Sequence, residues 1–73
     1  MRYNTEFGDI TCDEDTAVFI ISAFYDSMEM SINKGNLYTA LRTARVIDAM
    51  SGSSTSEKYV LMVIKKQDKG ERK

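Results

Sequence analysis

Hydrophobic positions recur at helical spacing through the first half of the chain. Between residues 17 and 32 an apolar residue follows every three or four positions, which is the spacing of one helix face. The members of this line are Ala17, Ile20, Ile21, Phe24, Met28 and Ile32. The pattern predicts a long helix, and its ends can be placed from the residues that flank the line.

Capping residues mark both ends of this predicted helix. Thr11 and Glu14 match a capping box, in which a hydroxyl accepts from the third residue of the helix and Glu bonds back. Lys34 and Gly35 then supply a cation for the last turn and a glycine suited to the left-handed position after it. We therefore expect a helix over about residues 13–34.

A second helix is predicted directly after the first. Asn36 can cap it, so the link is one or two residues and the two helices form an αα-hairpin. Its apolar line comprises Leu37, Ala40, Leu41, Ala44, Ile47 and Met50. The residues expected to face outward are Thr39, Arg42, Thr43 and Asp48. The small side chains of Ala40 and Ala44 would let the two helices approach closely.

The ends of the chain allow two interpretations. Residues 2–7 alternate as in a strand, and Gly8 and Asp9 have the character of a turn. Ser54 and Glu57 match another capping box and residues 57–66 end in lysines, which favours a helix, but the apolar run from 59 to 64 also suits a strand. A strand there would pair with residues 2–7.

The predicted fold is mostly α. It consists of an αα-hairpin, an extended N-terminal segment and a third C-terminal element, for which a helix is favoured. The alternative is an α+β fold, β-α-α-β, with a two-stranded antiparallel sheet. Residues 1–66 would form one small domain, and residues 67–73 a basic, solvated tail.

The composition excludes most kinds of catalytic and metal-binding site. The chain of 73 residues has one Cys and no His, which excludes an internal disulfide, the usual zinc sites and catalysis by a His-dependent triad. Its four glycines are isolated, so no phosphate-binding loop is present. We predict no cofactor and no enzymatic activity. Domains this small usually need a disulfide, a bound metal or a partner subunit for stability. Self-association is the option that remains.

The acidic residues near position 12, and Cys12 itself, each have a structural explanation. Asp9, Asp13, Glu14 and Asp15 lack the spacing of a calcium loop, and their charges suit the positive end of a helix dipole. Cys12 sits where a thiolate is favoured, but the neighbouring carboxylates oppose it and no His is available as a base. We expect neither a metal site nor a nucleophile here.

The first helix carries more apolar surface than one neighbouring helix can cover. Phe19, Tyr25 and Met30 lie off its main apolar line and are the candidate partner interface. Aromatic and Met side chains are enriched in the cores of protein interfaces. We therefore predict a protein–protein interaction module whose partner is itself, as a homodimer, or another protein.

The net charge of −1 hides a split between the two halves of the chain. Residues 1–30 hold seven acidic residues against one Arg, whereas residues 31–73 hold nine basic residues against four acidic ones. Such asymmetry indicates nucleic acid or another charged partner, or two halves that face each other. The residues that would contact nucleic acid are Arg42, Arg45, Lys65, Lys66 and Lys69. A pI of about 5.3 disfavours this alternative, since nucleic-acid domains are often above about 9.

The longest apolar runs are five and six residues, far short of the roughly 20 that span a bilayer, so no membrane association is expected. The first residues lack the apolar stretch of a secretion signal. A single cysteine is compatible with a reducing compartment, and we expect the cytoplasm.

Overall fold

The computed structural model describes the backbone of residues 1–71 and the side chains of residues 1–67. Two short strands, β1 (Arg2–Thr5) and β2 (Gly8–Thr11), precede three helices. The helices are α1 (Glu14–Asn33), α2 (Leu37–Ser51) and α3 (Thr55–Glu71). The prediction of a mostly α fold built on an αα-hairpin is confirmed, and the third element is the favoured helix.

The two-stranded antiparallel sheet is a local hairpin. β1 pairs with β2 in a register that joins Arg2 to Thr11 and Thr5 to Gly8. The alternative in which residues 57–66 pair with the N-terminal strand is therefore wrong. Closing a hairpin over two turn residues costs far less chain entropy than closing a loop of more than fifty residues.

The hairpin turn lies two residues earlier than the sequence predicted. Glu6 and Phe7 form the turn, whereas Gly8 and Asp9 begin β2. The Thr5 hydroxyl fixes this turn, because it donates to the Gly8 carbonyl at 2.7 Å and accepts from the Phe7 N–H at 3.2 Å. Gly8 has a φ of 114°, which only glycine adopts without strain.

The N-cap of α1 is Asp13 and not Thr11, which lies in β2. The Asp13 Oδ1 atom accepts a hydrogen bond from the Thr16 N–H at 2.7 Å. The side-chain hydrogen bond with Thr16, and then the backbone one, hold the pKa of Asp13 below its ordinary value of 3.8. The capping box failed as a prediction because its Thr is needed for strand pairing with Arg2.

Helix α2 is the centre of the molecule. It is joined to α1 by a tight turn at Gly35, whose φ is 82°, and to α3 by a turn at Gly52, whose φ is 72°. Such short links make each neighbouring pair antiparallel, so α1 and α3 run in the same direction. Ala40 and Ala44 on α2 are fully buried, in agreement with the close helix approach predicted for them.

The core consists of two clusters along α2. One contains Met28 of α1 and Val60 of α3 packed against the middle of α2; its buried members are Met28, Ala40, Ala44, Ile47 and Val60. The other joins α1 to the sheet; its buried members are Ala17, Val46 and Met50, and Tyr3 and Ile10 pack against it. Both ends of α1 are therefore held on α2.

The C-terminal segment continues as helix beyond the predicted domain boundary at residue 66. Helix α3 extends to Glu71, so the predicted solvated tail of residues 67–73 begins as helix. Gln67 is exposed. Arg72 and Lys73 lie outside the described residues.

Candidate interaction surface

The exposed side of α1 carries large apolar side chains. All three residues of the predicted interface are exposed: Phe19 by 70%, Met30 by 56% and Tyr25 by 43%. Phe19 and Met30 are eleven residues apart, which is about three helical turns and about 16 Å along the axis. They therefore share one stripe, on the side of α1 opposite the buried Ala17 and Met28.

Tyr25 does not belong to this stripe. At about 100° per residue it lies about 120° around the helix from Phe19, next to the half-buried Ile32 and in line with the exposed Val18. The structure thus separates the three predicted residues into two groups. We call Phe19, Ala23, Asp26 and Met30, which recur at spacings of four, three and four, the α1 stripe.

The charge around the α1 stripe has one sign. Asp26 lies within the stripe, Asp15 and Glu29 are exposed beside it, and no Lys or Arg occurs between Glu14 and Asn33. None of these carboxylates forms an ion pair with a side chain that the structure describes. The α1 stripe is therefore an apolar strip within an acidic face.

The molecule leaves more surface exposed than a compact chain of its mass. Its accessible surface is 5228 Å², against about 4600 Å² expected for a folded monomer of 8.3 kDa. It measures 48 × 17 × 17 Å, with a radius of gyration of 13.3 Å, whereas a compact domain of this length has about 11 Å. The helices thus cover only part of each other.

A second exposed apolar strip lies on α3 and was not predicted. Tyr59, Leu61 and Met62 are exposed, the last by 56%. Within the uninterrupted apolar run from Tyr59 to Ile64, only Val60 is fully buried, with Ile64 packed against its cluster. Lys58, Lys65 and Lys66, which flank the run, were the available signal that one side of it faces solvent.

The predicted nucleic-acid contacts are divided between α2 and α3, and one of them is already paired. Arg45 donates from its Nε atom to Glu57 at 2.9 Å, and this hydrogen bond raises the pKa of Arg45. Lys65 and Lys66 are exposed on α3. The side chain of Lys69 lies outside the described residues.

Arg42 has a different environment. Its guanidinium carbon lies 4.6 Å from the ring centre of Phe7 and 5.8 Å from that of Tyr38. Both rings are largely exposed, Phe7 by 61% and Tyr38 by 72%. Arg42 forms no ion pair with any carboxylate that the structure describes. No sequence signal placed Phe7 beside Arg42, because its position depends on where the hairpin turn falls.

Asp48 is the polar residue whose role the sequence missed. It was predicted to face outward, but it is buried. Its Oδ1 atom accepts from the Ser56 N–H at 3.1 Å and its Oδ2 atom from the Glu57 N–H at 2.9 Å. Asp48 therefore caps α3 from the neighbouring helix, in place of the predicted capping box that begins at Ser54. Its role is structural, because both oxygens are occupied by backbone groups.

Cys12 is half-buried, and its side chain packs against the cluster around Ala17. Among the described residues, no group of three or more Cys, Asp or Glu side chains is placed to hold a metal ion. Within that same part of the chain, no helix has the length and apolar character needed to cross a bilayer.

Comparison with protein-family models, with curated proteins and with solved structures found no match to this chain.

Proposed function

We propose that this protein is a non-enzymatic protein–protein interaction module that self-associates through the α1 stripe. The observation that carries the proposal is the exposure of Phe19 and Met30 on one side of α1, opposite the side packed on α2. Burying a large apolar side chain contributes about 1.5 to 3 kcal/mol, which an isolated chain forgoes at both positions.

The small size of the chain supports a second copy as partner. With one Cys and no His, it has neither an internal disulfide nor a zinc site of the usual ligands to stabilise a small core. Association would supply this stabilisation by mass action.

The free Cys12 also suits a reducing compartment, and we propose that the protein is cytoplasmic.

Replacing Phe19 with Glu tests this function. Phe19→Glu puts a charge into the proposed interface, and it adds to an acidic face. We expect the dimer dissociation constant to rise at least about tenfold, since an aromatic side chain that anchors an interface contributes about 2 kcal/mol or more to binding. Sedimentation equilibrium over a range of concentrations would measure this change.

Tyr38→Glu is the matched control. Tyr38 is an aromatic residue exposed by 72%, close to the 70% of Phe19, but it lies on the outer side of α2. We expect this variant to associate like the wild-type chain. Equal weakening by both variants, or by neither, would show that the α1 stripe is not the interface.

A second candidate function rests on Arg42. Its guanidinium is unpaired among the described residues and lies beside two exposed rings, an arrangement that offers stacking to bases and a positive charge to phosphate. The pairing of Arg45 with Glu57 reduces the positive charge nearby. We therefore keep nucleic-acid binding as the alternative.

A single-stranded oligo-dT probe tests the alternative. If the chain binds nucleic acid, retention of the probe falls steeply with salt, and Arg42→Ala removes most of it. Arg45→Ala is the control, because its guanidinium is already held by Glu57 and its loss should have a smaller effect. No retention at low salt, or equal effects of the two variants, would exclude this use of Arg42.

A further inference from the structure

The described charges of the helices α1 and α3 are of opposite sign on their exposed faces. Within or beside the α1 stripe lie Asp15, Asp26 and Glu29. On α3 the exposed cations are Lys58, Lys65 and Lys66. Neither set forms an ion pair with a side chain that the structure describes. Among the described side chains, each face therefore carries charge that the other face would complement.

Residues on the two faces recur at similar helical spacings. On α3, Tyr59, Met62 and Lys66 recur at spacings of three and four, as do the members of the α1 stripe. We call Lys58, Tyr59, Met62, Lys65 and Lys66, which lie within about 60° of Met62 around the helix, the α3 face. Alternating spacings of three and four keep one side of a helix against a partner helix. Met62 and Met30 are equally exposed, by 56% each.

The acidic side chain that the structure describes on α3 is already paired. Glu57 is the only acidic residue of α3 with a described side chain, and it accepts from Arg45 of α2 at 2.9 Å. It therefore does not neutralise the lysines of the α3 face. On α1 no base is present that could neutralise the acids.

A contact between two copies of α1 is disfavoured by the same charges. It would bring the acids of one α1 stripe against those of the other, and like charges in an interface oppose association. A contact between α1 of one copy and α3 of the other brings opposite charges together. If each copy presents both surfaces to the other around a two-fold axis, the contact is made twice and the assembly closes as a dimer.

We propose that the α1 stripe binds the α3 face of a second copy. This inference rests on the proposed self-association and names the surface that meets α1. In the dimer, Phe19 and Met30 are covered by the apolar side chains of the α3 face, and Asp26 and Glu29 lie among its lysines. The opposite charges of the two halves of the chain then meet between subunits.

Charge reversal tests the proposal. One variant carries Asp26→Lys and Glu29→Lys, and the other carries Lys65→Glu and Lys66→Glu; all four positions are exposed, so the fold should be retained, as circular dichroism would verify. Each variant alone has two faces of like charge, and we expect its dimer dissociation constant to rise about tenfold or more. Sedimentation equilibrium measures both constants.

Mixing the two variants provides the decisive test of the contact between α1 and α3. In the mixture, basic α1 meets acidic α3 and acidic α1 meets basic α3, so a one-to-one heterodimer should form with an affinity near that of the wild-type homodimer. If the wild-type chain dimerises and the variant with Lys65→Glu and Lys66→Glu dimerises equally well, this inference is wrong. The proposed function would still hold. Failure of the mixture to associate would also overturn this inference. A wild-type chain that stays monomeric would instead contradict the proposed function itself.

Discussion

Met28→Ala should remove a large part of the stability of this protein. Met28 is fully buried and lies in the cluster where α1 meets α2 and Val60 of α3. Truncating a buried Met to Ala costs about 2 to 5 kcal/mol, because transfer energy is lost and a cavity remains. The whole free energy of unfolding of a 73-residue chain is of the order of 4 to 11 kcal/mol. Urea unfolding followed by circular dichroism would measure the loss.

Met30→Ala is the control for this change. It makes the same substitution two residues along α1, at a side chain that is exposed by 56%. At concentrations low enough to keep the chain monomeric, we expect a change within about 0.5 kcal/mol, which is usual for a surface position. Similar losses for both variants would contradict the placement of Met28 in the core.

Asp48→Ala should loosen α3 from α2. The substitution leaves the N–H groups of Ser56 and Glu57 without their acceptors, and Ser56 is buried. An unsatisfied buried donor costs about 1 to 3 kcal/mol, so the expected loss is about 2 kcal/mol or more. Hydrogen exchange should show the loss as weaker protection of the amides in the first turns of α3.

Asp48→Asn separates capping from charge. The amide keeps one oxygen acceptor, so it should retain part of the stability that Ala removes. If Ala at this position were as stable as the wild type, or if Asn were as damaging as Ala, the capping role derived for Asp48 would be wrong.

The helical hairpin could be predicted because its signals are local. The apolar line from Ala17 to Ile32 has one period throughout, and Gly35 marks the turn that follows. Such periodicity is independent of any distant contact. The same reasoning identified Phe19 and Met30 as exposed, because they lie on the opposite side of that line.

The parts that could not be predicted depend on contacts between elements. Thr11 has the residues of a capping box around it, but pairing with Arg2 draws it into β2 and Asp13 becomes the cap. Asp48 looks like a surface acid on α2 until the turn at Gly52 brings the start of α3 against it. In both cases a tertiary hydrogen bond decides the role of a polar side chain.

The α3 face was missed for a different reason. A short apolar run such as Tyr59 to Ile64 does not show by its spacing which side is buried. Only the position of α2 determines that Val60 is enclosed and Met62 exposed. The acidic α1 stripe and the basic α3 face could be compared only once both sides were known.

The molar mass of the wild-type chain in solution tests the central claim most directly. We expect light scattering at tens of micromolar to give twice the chain mass of 8.3 kDa, with dissociation on dilution and at high salt. A mass of 8.3 kDa across that range, together with a cooperative melt that does not depend on concentration, would contradict self-association.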